Sequence, residues 1–364
     1  MTRPDLKEMD LAELEAFAAS LGEKPFRARQ VRKWLYNRGV GDASEMTDLS
    51  KPLRGRLAES AAISRPDLVE VRTSEDGSQK FLWRLEDGTR VESVLIPERD
   101  HLTLCLSSQV GCAMGCRFCR TAELGFTRDL TQAEILNQVL GVRERLPAGP
   151  PLKNLVFMGM GEPLANLENV VRALRILTEP GLMGFSRRHM SVSTVGLVPE
   201  LARLAEQVTV GLTVSLNAAD DETRSRLMPV NQRYNLEELH RALAAFPLPS
   251  RRMITIAYVL LAGVNDTTRH ARDLIRFVHG LRVKINLIPF NPFPGASFET
   301  PSEETVQTFQ EVLIKARLTV IVRASRGRDI AAACGQLAGQ AAAEDAVQAE
   351  EPADSSSRTG SGSV

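Results

Sequence analysis

The stretch SQVGCAMGCRFCRTAELGFTRDLT, residues 108–131, holds Cys112, Cys116 and Cys119 within eight residues. Their spacing is C-x3-C-x2-C, just past the strand-like run LTLCLSS. Gly111 and Gly115 permit tight turns, so one short loop can wrap a compact inorganic core. Zinc is the ordinary alternative. Structural zinc sites, however, close with four protein ligands. No histidine lies in the loop, and the nearest, His101, precedes the strand. The spacing therefore points to a [4Fe–4S] cluster on three thiolates, with one iron left without a protein ligand.

On the C-terminal side the pattern alternates. The runs LTLCLSS, NLVFMGM, MSVSTVG, VTVGLTVSL, ITIAYVLL and VKINLIPF read as near-continuously apolar strands. Between most of them lie helical stretches such as LTQAEILNQVLGVRERL, NLENVVRALRILT and NDTTRHARDLIRFVHG. Such alternation implies βαβ units and a parallel sheet. Six units give an α/β fold, a partial (β/α)6 barrel over residues 101–340. A last strand, LTVIVRAS, leads into RGRDIAAACGQLAG. On the N-terminal side, residues 63–100 hold three strand-like runs separated by the dipeptides Asp76-Gly77 and Asp87-Gly88. Asp-Gly between alternating strands is a hairpin signal, so an antiparallel meander is expected. Residues 1–62 read as three helices, with Gly22 and Gly39 as stops for the first two. Residues 24–38 interleave six basic residues with Phe26, Trp34 and Tyr36. That composition suits either the solvated face of a helical bundle or an RNA-phosphate surface. Residues 341–364 are acidic, then Ser/Gly-rich, and are expected to be disordered.

Composition narrows the class. The 364 residues are 43% hydrophobic and 25% charged, a globular balance. No run is apolar enough to span a bilayer. The N-terminus lacks the marks of a signal or transit peptide, so a cytoplasmic protein is expected. Five cysteines in a chain this long read as ligands or catalytic groups rather than a disulfide framework. Net charge is zero. The segment after Gly339 holds five acids and one base, leaving 44 basic against 40 acidic residues in the rest.

A second turn, GMGEPL, places Gly159, Gly161 and Glu162 after a strand. It lacks the third glycine and helix start of a dinucleotide fingerprint. An iron with an open position can bind the amine and carboxylate of S-adenosylmethionine (SAM), a cofactor of radical chemistry. C-x3-C-x-aromatic-C, with Phe118 as the aromatic, at the first strand of a βα array resembles the radical SAM superfamily. A closer resemblance runs from about residue 10 to residue 340. It rests on LGEKPFRARQVRKWLY, EMTDLSKPLRGRL, VESVLIPE, LCLSSQVGCAMGCRFC, VFMGMGEPLANLENVV, KINLIPFNPFPGA and RGRDIAAACGQLAG. Together these resemble the RlmN class of bacterial RNA methyltransferases.

What the resemblance implies is specific. The substrate is carbon 2 of adenine 2503 in 23S rRNA, and in some members an adenosine of tRNA, adenosine 37. Two SAM molecules serve each turnover. Cys334 carries a methyl group as a thioether, Glu92 removes the ring proton, and Cys105 releases the product by forming a disulfide with Cys334. Gly161, Glu162, Ser193, Ser215, Leu216, Asn217 and Asn291 fall on SAM-contacting positions. One departure stands out: the family commonly has His where this chain has Asn217. The implied partners are 23S rRNA, tRNA and an electron donor such as flavodoxin or ferredoxin, with the enzyme acting as a monomer. Three alternatives remain open on the sequence: carbon-8 methylation by the related resistance branch, a non-methylating radical SAM enzyme that would not need Cys334, and a zinc-stabilised RNA-binding protein.

Overall fold

The computed structural model describes residues 3–146 and 149–339; the C-terminal segment expected to be disordered lies outside them. The chain opens with α1 (Leu11–Ser20), α2 (Phe26–Lys33) and α3 (Lys51–Ser60). Asp10 caps α1 in a reciprocal box with Glu13, and Ser50 caps α3. The basic-aromatic segment divides by face. Tyr36 and Arg32 are buried, Arg32 pairing with Glu179 at 3.0 Å, while Lys24, Arg29, Lys33 and Arg38 face outward.

The two Asp-Gly turns form with Gly77 and Gly88 at positive φ. They join β1 (Asp67–Thr73), β2 (Gln79–Arg84) and β3 (Arg90–Pro97) into the expected antiparallel meander. The meander is continuous with the main sheet, because β3 pairs antiparallel with β4 (Leu102–Cys105). A small hairpin of β5 (Gln109–Gly111) and β6 (Phe126–Asp129) then brackets the three-cysteine loop and the single turn of α4 (Arg120–Glu123). Sequence reading missed this hairpin, since three- and four-residue strands carry too few alternations to register.

Six strands complete the sheet: β7 (Leu152–Phe157), β8 (Met190–Thr194), β9 (Gly211–Ser215), β10 (Ile254–Leu260), β11 (Val283–Pro289) and β12 (Thr319–Val322). From β4 through β12 every neighbouring pair is parallel. The order runs β1-β2-β3-β4-β7-β8-β9-β10-β11-β12, so the sheet has free edges at β1 and β12. The connections carry α5 (Gln132–Arg143), α6 (Leu167–Thr178), α7 (Val198–Gln207), α8 (Asp221–Leu227), α9 (Leu236–Ala245), α10 (Thr268–Val278) and α11 (Glu303–Lys315). This is the partial barrel read from the sequence. Among the described residues no helix is long and apolar enough to cross a membrane.

The strands differ from the sequence reading in one respect that matters. They are not uniformly apolar; they alternate. Parallel neighbours in register share a face. One face presents Phe157, Val192, Val214, Ile256, Ile285 and Leu287, all fully buried in the main apolar cluster. The other presents Thr103, Asn154, Ser193, Thr213, Ser215 and Asn286. Helices cover the first face. The second is a lumen lined by small and polar side chains, most of them only half-buried. Register carries the same parity into the meander, so Lys80, Glu92 and Cys105 belong to the lumen face as well.

Candidate active site

The three cysteines are held by backbone. Cys112 N–H donates to Gly125 O at 2.7 Å, closing the hairpin across the loop, and Cys119 N–H donates to Cys116 O at 3.1 Å. Gly111 sits at φ 74°, and a β-carbon there would lie 1.9 Å from Gly125 O, so no other residue fits. Cys116 is buried; Cys112 and Cys119 are half-buried. Burial pushes the Cys112 thiol up to about 12, and Cys116 is raised by burial and then by Cys119 and Cys112. The three thiols are thus mutual neighbours. Three neighbouring thiols on one loop suit a polynuclear core.

The other predicted positions gather at the carboxyl ends of the parallel strands, where α/β sites form. Gly161 follows β7 at φ 97°, and a β-carbon there would meet Gln109 at 2.5 Å. Glu162 is buried, accepting from Leu164 N–H at 3.0 Å and Val195 N–H at 2.9 Å. Burial raises its pKa to about 7, and its charge reaches Cys112 and Cys116. Ser193 lies near the end of β8 and Ser215 ends β9. Leu216 is fully buried. Asn217 takes a left-handed conformation, φ 59°, which asparagine tolerates better than most residues. Its side chain is engaged within the protein: Oδ1 accepts from Val259 N–H at 2.8 Å, and Nδ2 donates to Met228 Sδ at 3.2 Å. Asn291, just past β11, donates to Cys334 O at 3.4 Å, while its buried Oδ1 has no protein donor. That orphaned acceptor suits a ligand that brings a hydroxyl or amine.

Cys334 lies on a turn after β12. It is exposed, although Ala333, Gln336 and Leu337 around it are buried. Three neighbours seat this turn. The cluster loop supplies Arg120 N–H to Gly335 O at 2.7 Å and Thr121 Oγ1 to Leu337 O at 2.7 Å. The segment after β11 supplies Pro292 O, which accepts from Gln336 Nε2 at 2.7 Å. The meander supplies Ser74 Oγ and Glu75 N–H as donors to Asp329, and Asp76 Oδ2 as the acceptor of Gly327 N–H at 2.9 Å. Cys105 ends β4, where burial first and the Cys334 sulfur second raise its pKa. Both are free in this resting arrangement. Glu92, a residue type normally solvated on a strand, is fully buried here. Its Oε2 accepts from Ala338 N–H at 2.9 Å, and its Oε1 lies 3.0 Å from Lys80 Nζ.

Two functional-looking residues escaped the sequence reading. Lys80 is one; only the meander register places it beside Glu92. Arg224 is the other: 1% exposed, it donates to Val195 O at 2.7 Å, Leu216 O at 3.2 Å and Asn231 Oδ1 at 2.7 Å. Burial lowers its pKa to about 10, and its charge reaches Cys116. No local signal in DETRSRL marks it as buried.

The geometry agrees with comparisons to known proteins. The family model described as the ribosomal RNA large subunit methyltransferase N-terminal domain matches residues 4–63, and that of the radical SAM superfamily matches residues 106–277. The chain is similar to the dual-specificity RNA methyltransferase RlmN of Geotalea uraniireducens, 53% identical over 340 residues covering 93% of this chain and 98% of that protein. It is similarly related to the protein of the same name from Geobacter sulfurreducens, 53% identical over 341 residues and 93% of each chain. A crystal structure of a radical SAM methyltransferase from Sphaerobacter thermophilus superposes with a TM-score of 0.88 at 43% identity, covering 93% of this chain and all of that one.

Proposed function

The chain belongs to the RlmN family of radical SAM dual-specificity RNA methyltransferases, and we propose that it methylates carbon 2 of an adenosine in 23S rRNA and of adenosine 37 in tRNA. As a family member it is an enzyme that uses a [4Fe–4S] cluster and two SAM molecules per turnover. Carbon 2 of adenine is an electron-poor amidine carbon without a usable lone pair, so it cannot displace a methyl group from a sulfonium. The methyl carbon must arrive as a radical, carried by the protein.

In this reading Cys112, Cys116 and Cys119 hold the cluster, leaving one iron for SAM. Gly161, Glu162, Ser193, Ser215, Leu216, Asn217 and Asn291 border the SAM site. For Asn217 the contact falls to its backbone, because its side chain is engaged elsewhere. Bound there, SAM supplies a methyl group in one event and a hydrogen-abstracting 5′-deoxyadenosyl radical in the other. The exposed Cys334 takes the methyl group by displacement and holds it as a thioether. After hydrogen abstraction its carbon bonds to carbon 2 of the base. Glu92 takes the ring proton, and the adduct's one unpaired electron would pass to the oxidised cluster that Cys112, Cys116 and Cys119 would hold. Cys105 then attacks the Cys334 sulfur: a sulfur–sulfur bond forms, the sulfur–carbon bond breaks, and its electron pair stays with the carbon, which is protonated to methyl. Burial keeps the Cys105 thiol protonated at rest, so it does not attack early. An electron donor of the flavodoxin or ferredoxin type and a monomeric, cytoplasmic enzyme complete the proposal.

One observation carries this reading: the turn of Cys334 is hydrogen-bonded both to Glu92, through Ala338 N–H, and to the three-cysteine loop, through Gly335 O, with Cys105 on the strand next to that of Glu92. A radical SAM enzyme of another kind has no use for that arrangement. The test is intact-mass analysis of the purified enzyme, with a gain of about 14 Da, one methylene, expected on Cys334. Cys334→Ala is expected to abolish RNA methylation, and full turnover by this variant would overturn the carrier role. NMR of the modified nucleoside decides the position; 8-methyladenosine would assign the chain to the carbon-8 branch instead.

A further inference from the structure

Lys80 and Glu92 lie on adjacent strands, β2 and β3, two rungs apart on the lumen face, and both are buried. Between them they span the Cys334 turn. Lys80 Nζ donates to Ala331 O at 3.2 Å, three residues before Cys334, and Glu92 Oε2 accepts from Ala338 N–H, four residues after it. The two side chains meet at Nζ–Oε1, 3.0 Å. The two carboxylate oxygens therefore differ. Oε2 is committed to a backbone donor. Oε1 faces Lys80 Nζ at 3.0 Å and meets no other donor among the described residues.

A general base must point its accepting oxygen at the proton it takes, and an ammonium whose own position is fixed by a backbone carbonyl also fixes where a carboxylate paired with it points. We propose that Lys80 is a positioning residue for the ring-proton transfer: anchored on Ala331 O, it aims Glu92 Oε1 as the proton-accepting atom. This rests on Glu92 being the base. Lys80 touches neither SAM nor RNA in this scheme. The Cys334 turn keeps its bonds to Ser74, Asp76, Arg120, Thr121 and Pro292 without it.

The experiment uses the full-length reconstituted enzyme, SAM, a reductant and an RNA fragment carrying protium or deuterium at carbon 2 of the target adenosine. Methylation of Cys334 needs no ring-proton transfer, so its intact-mass gain reports folding and cofactor loading in every variant. Lys80→Met is expected to retain Cys334 methylation, to lose roughly 10²–10⁴-fold in turnover, and to show a larger deuterium isotope effect than the native enzyme. Loss of Cys334 methylation in step with turnover, or lost turnover with no rise in the isotope effect, would overturn the proposal. Glu92→Gln separates the two levels. If Glu92→Gln turns over normally, the base assignment fails and Lys80 with it. If Glu92→Gln is inactive while Lys80→Met is fully active, the base stands and the positioning role is wrong.

Discussion

At the scale of single residues, two atoms that are not there shape the site, and one buried charge bears on stability. Gly111→Ala would drive a β-carbon into Gly125 O, 1.9 Å away, at the hydrogen bond that closes the cysteine loop. The variant is expected to keep its far-ultraviolet spectrum yet lose most of its iron and sulfide on reconstitution. Native-like cluster content would show that the hairpin does not shape the loop. The second absent atom is the missing donor at Asn291 Oδ1, left for a ligand. The charge is Lys7, buried and donating to Ser64 O at 2.9 Å and Asn137 Oδ1 at 2.7 Å. Burial lowers its pKa from 10.5 to about 8. The unfolded chain thus binds the proton more tightly than the folded one. Stability from this group rises as pH increases from about 8 toward 10.5, by on the order of 3 kcal/mol in full. Urea midpoints on either side of pH 8 should show the rise in the native protein and its absence in Lys7→Met. The three-cysteine loop was legible because its spacing is local. Lys7 and Lys80 were not, because nothing near them in sequence tells a buried lysine from a solvated one.

At the scale of elements, the decisive unit is the Cys334 turn docked on the meander. Ala331 takes φ 51° there, a strained conformation for a residue with a β-carbon, and contacts from three parts of the chain hold it. Asp76 is central. Burial alone would raise its pKa, but hydrogen bonds from Ser78 and Gly327 bring it down to about 2. That contact is present above the usual carboxylate range and fades as pH falls toward 2. Asp76→Ala is expected to raise amide exchange across residues 327–335 and to slow Cys334 methylation several-fold, leaving exchange in α5 to α7 unchanged. Unaltered exchange in the turn would show that the meander does not hold it. The meander itself was readable, because Asp-Gly turns and alternation are local signals. That it seats the turn of Cys334, some 250 residues away, was not.

At the scale of the whole molecule, the N-terminal helices share one core with the barrel. Leu14, Val31, Leu35 and Leu53 belong to the same apolar cluster as Trp83, Val139 and Leu174. Polar bonds reinforce the seam at Lys7–Asn137, Arg32–Glu179 and Arg65–Glu144. Removing residues 1–63 is therefore expected to give an insoluble or molten protein, rather than a folded enzyme that merely binds RNA weakly. A cooperative thermal transition in the truncated chain would contradict this. The outward charges Lys24, Lys33 and Arg38 remain suited to RNA phosphates.

By itself the sequence determined the cysteine loop, the parallel βα array, the meander and the family, because each is written in short spacings or in long matching runs. It could not say that the strands alternate around a polar lumen, nor that Glu92 is buried, paired and tied to the Cys334 turn. Those depend on register between strands and on contacts between segments hundreds of residues apart. Tertiary packing alone sets such distances, and with them which carboxylate is buried beside an ammonium.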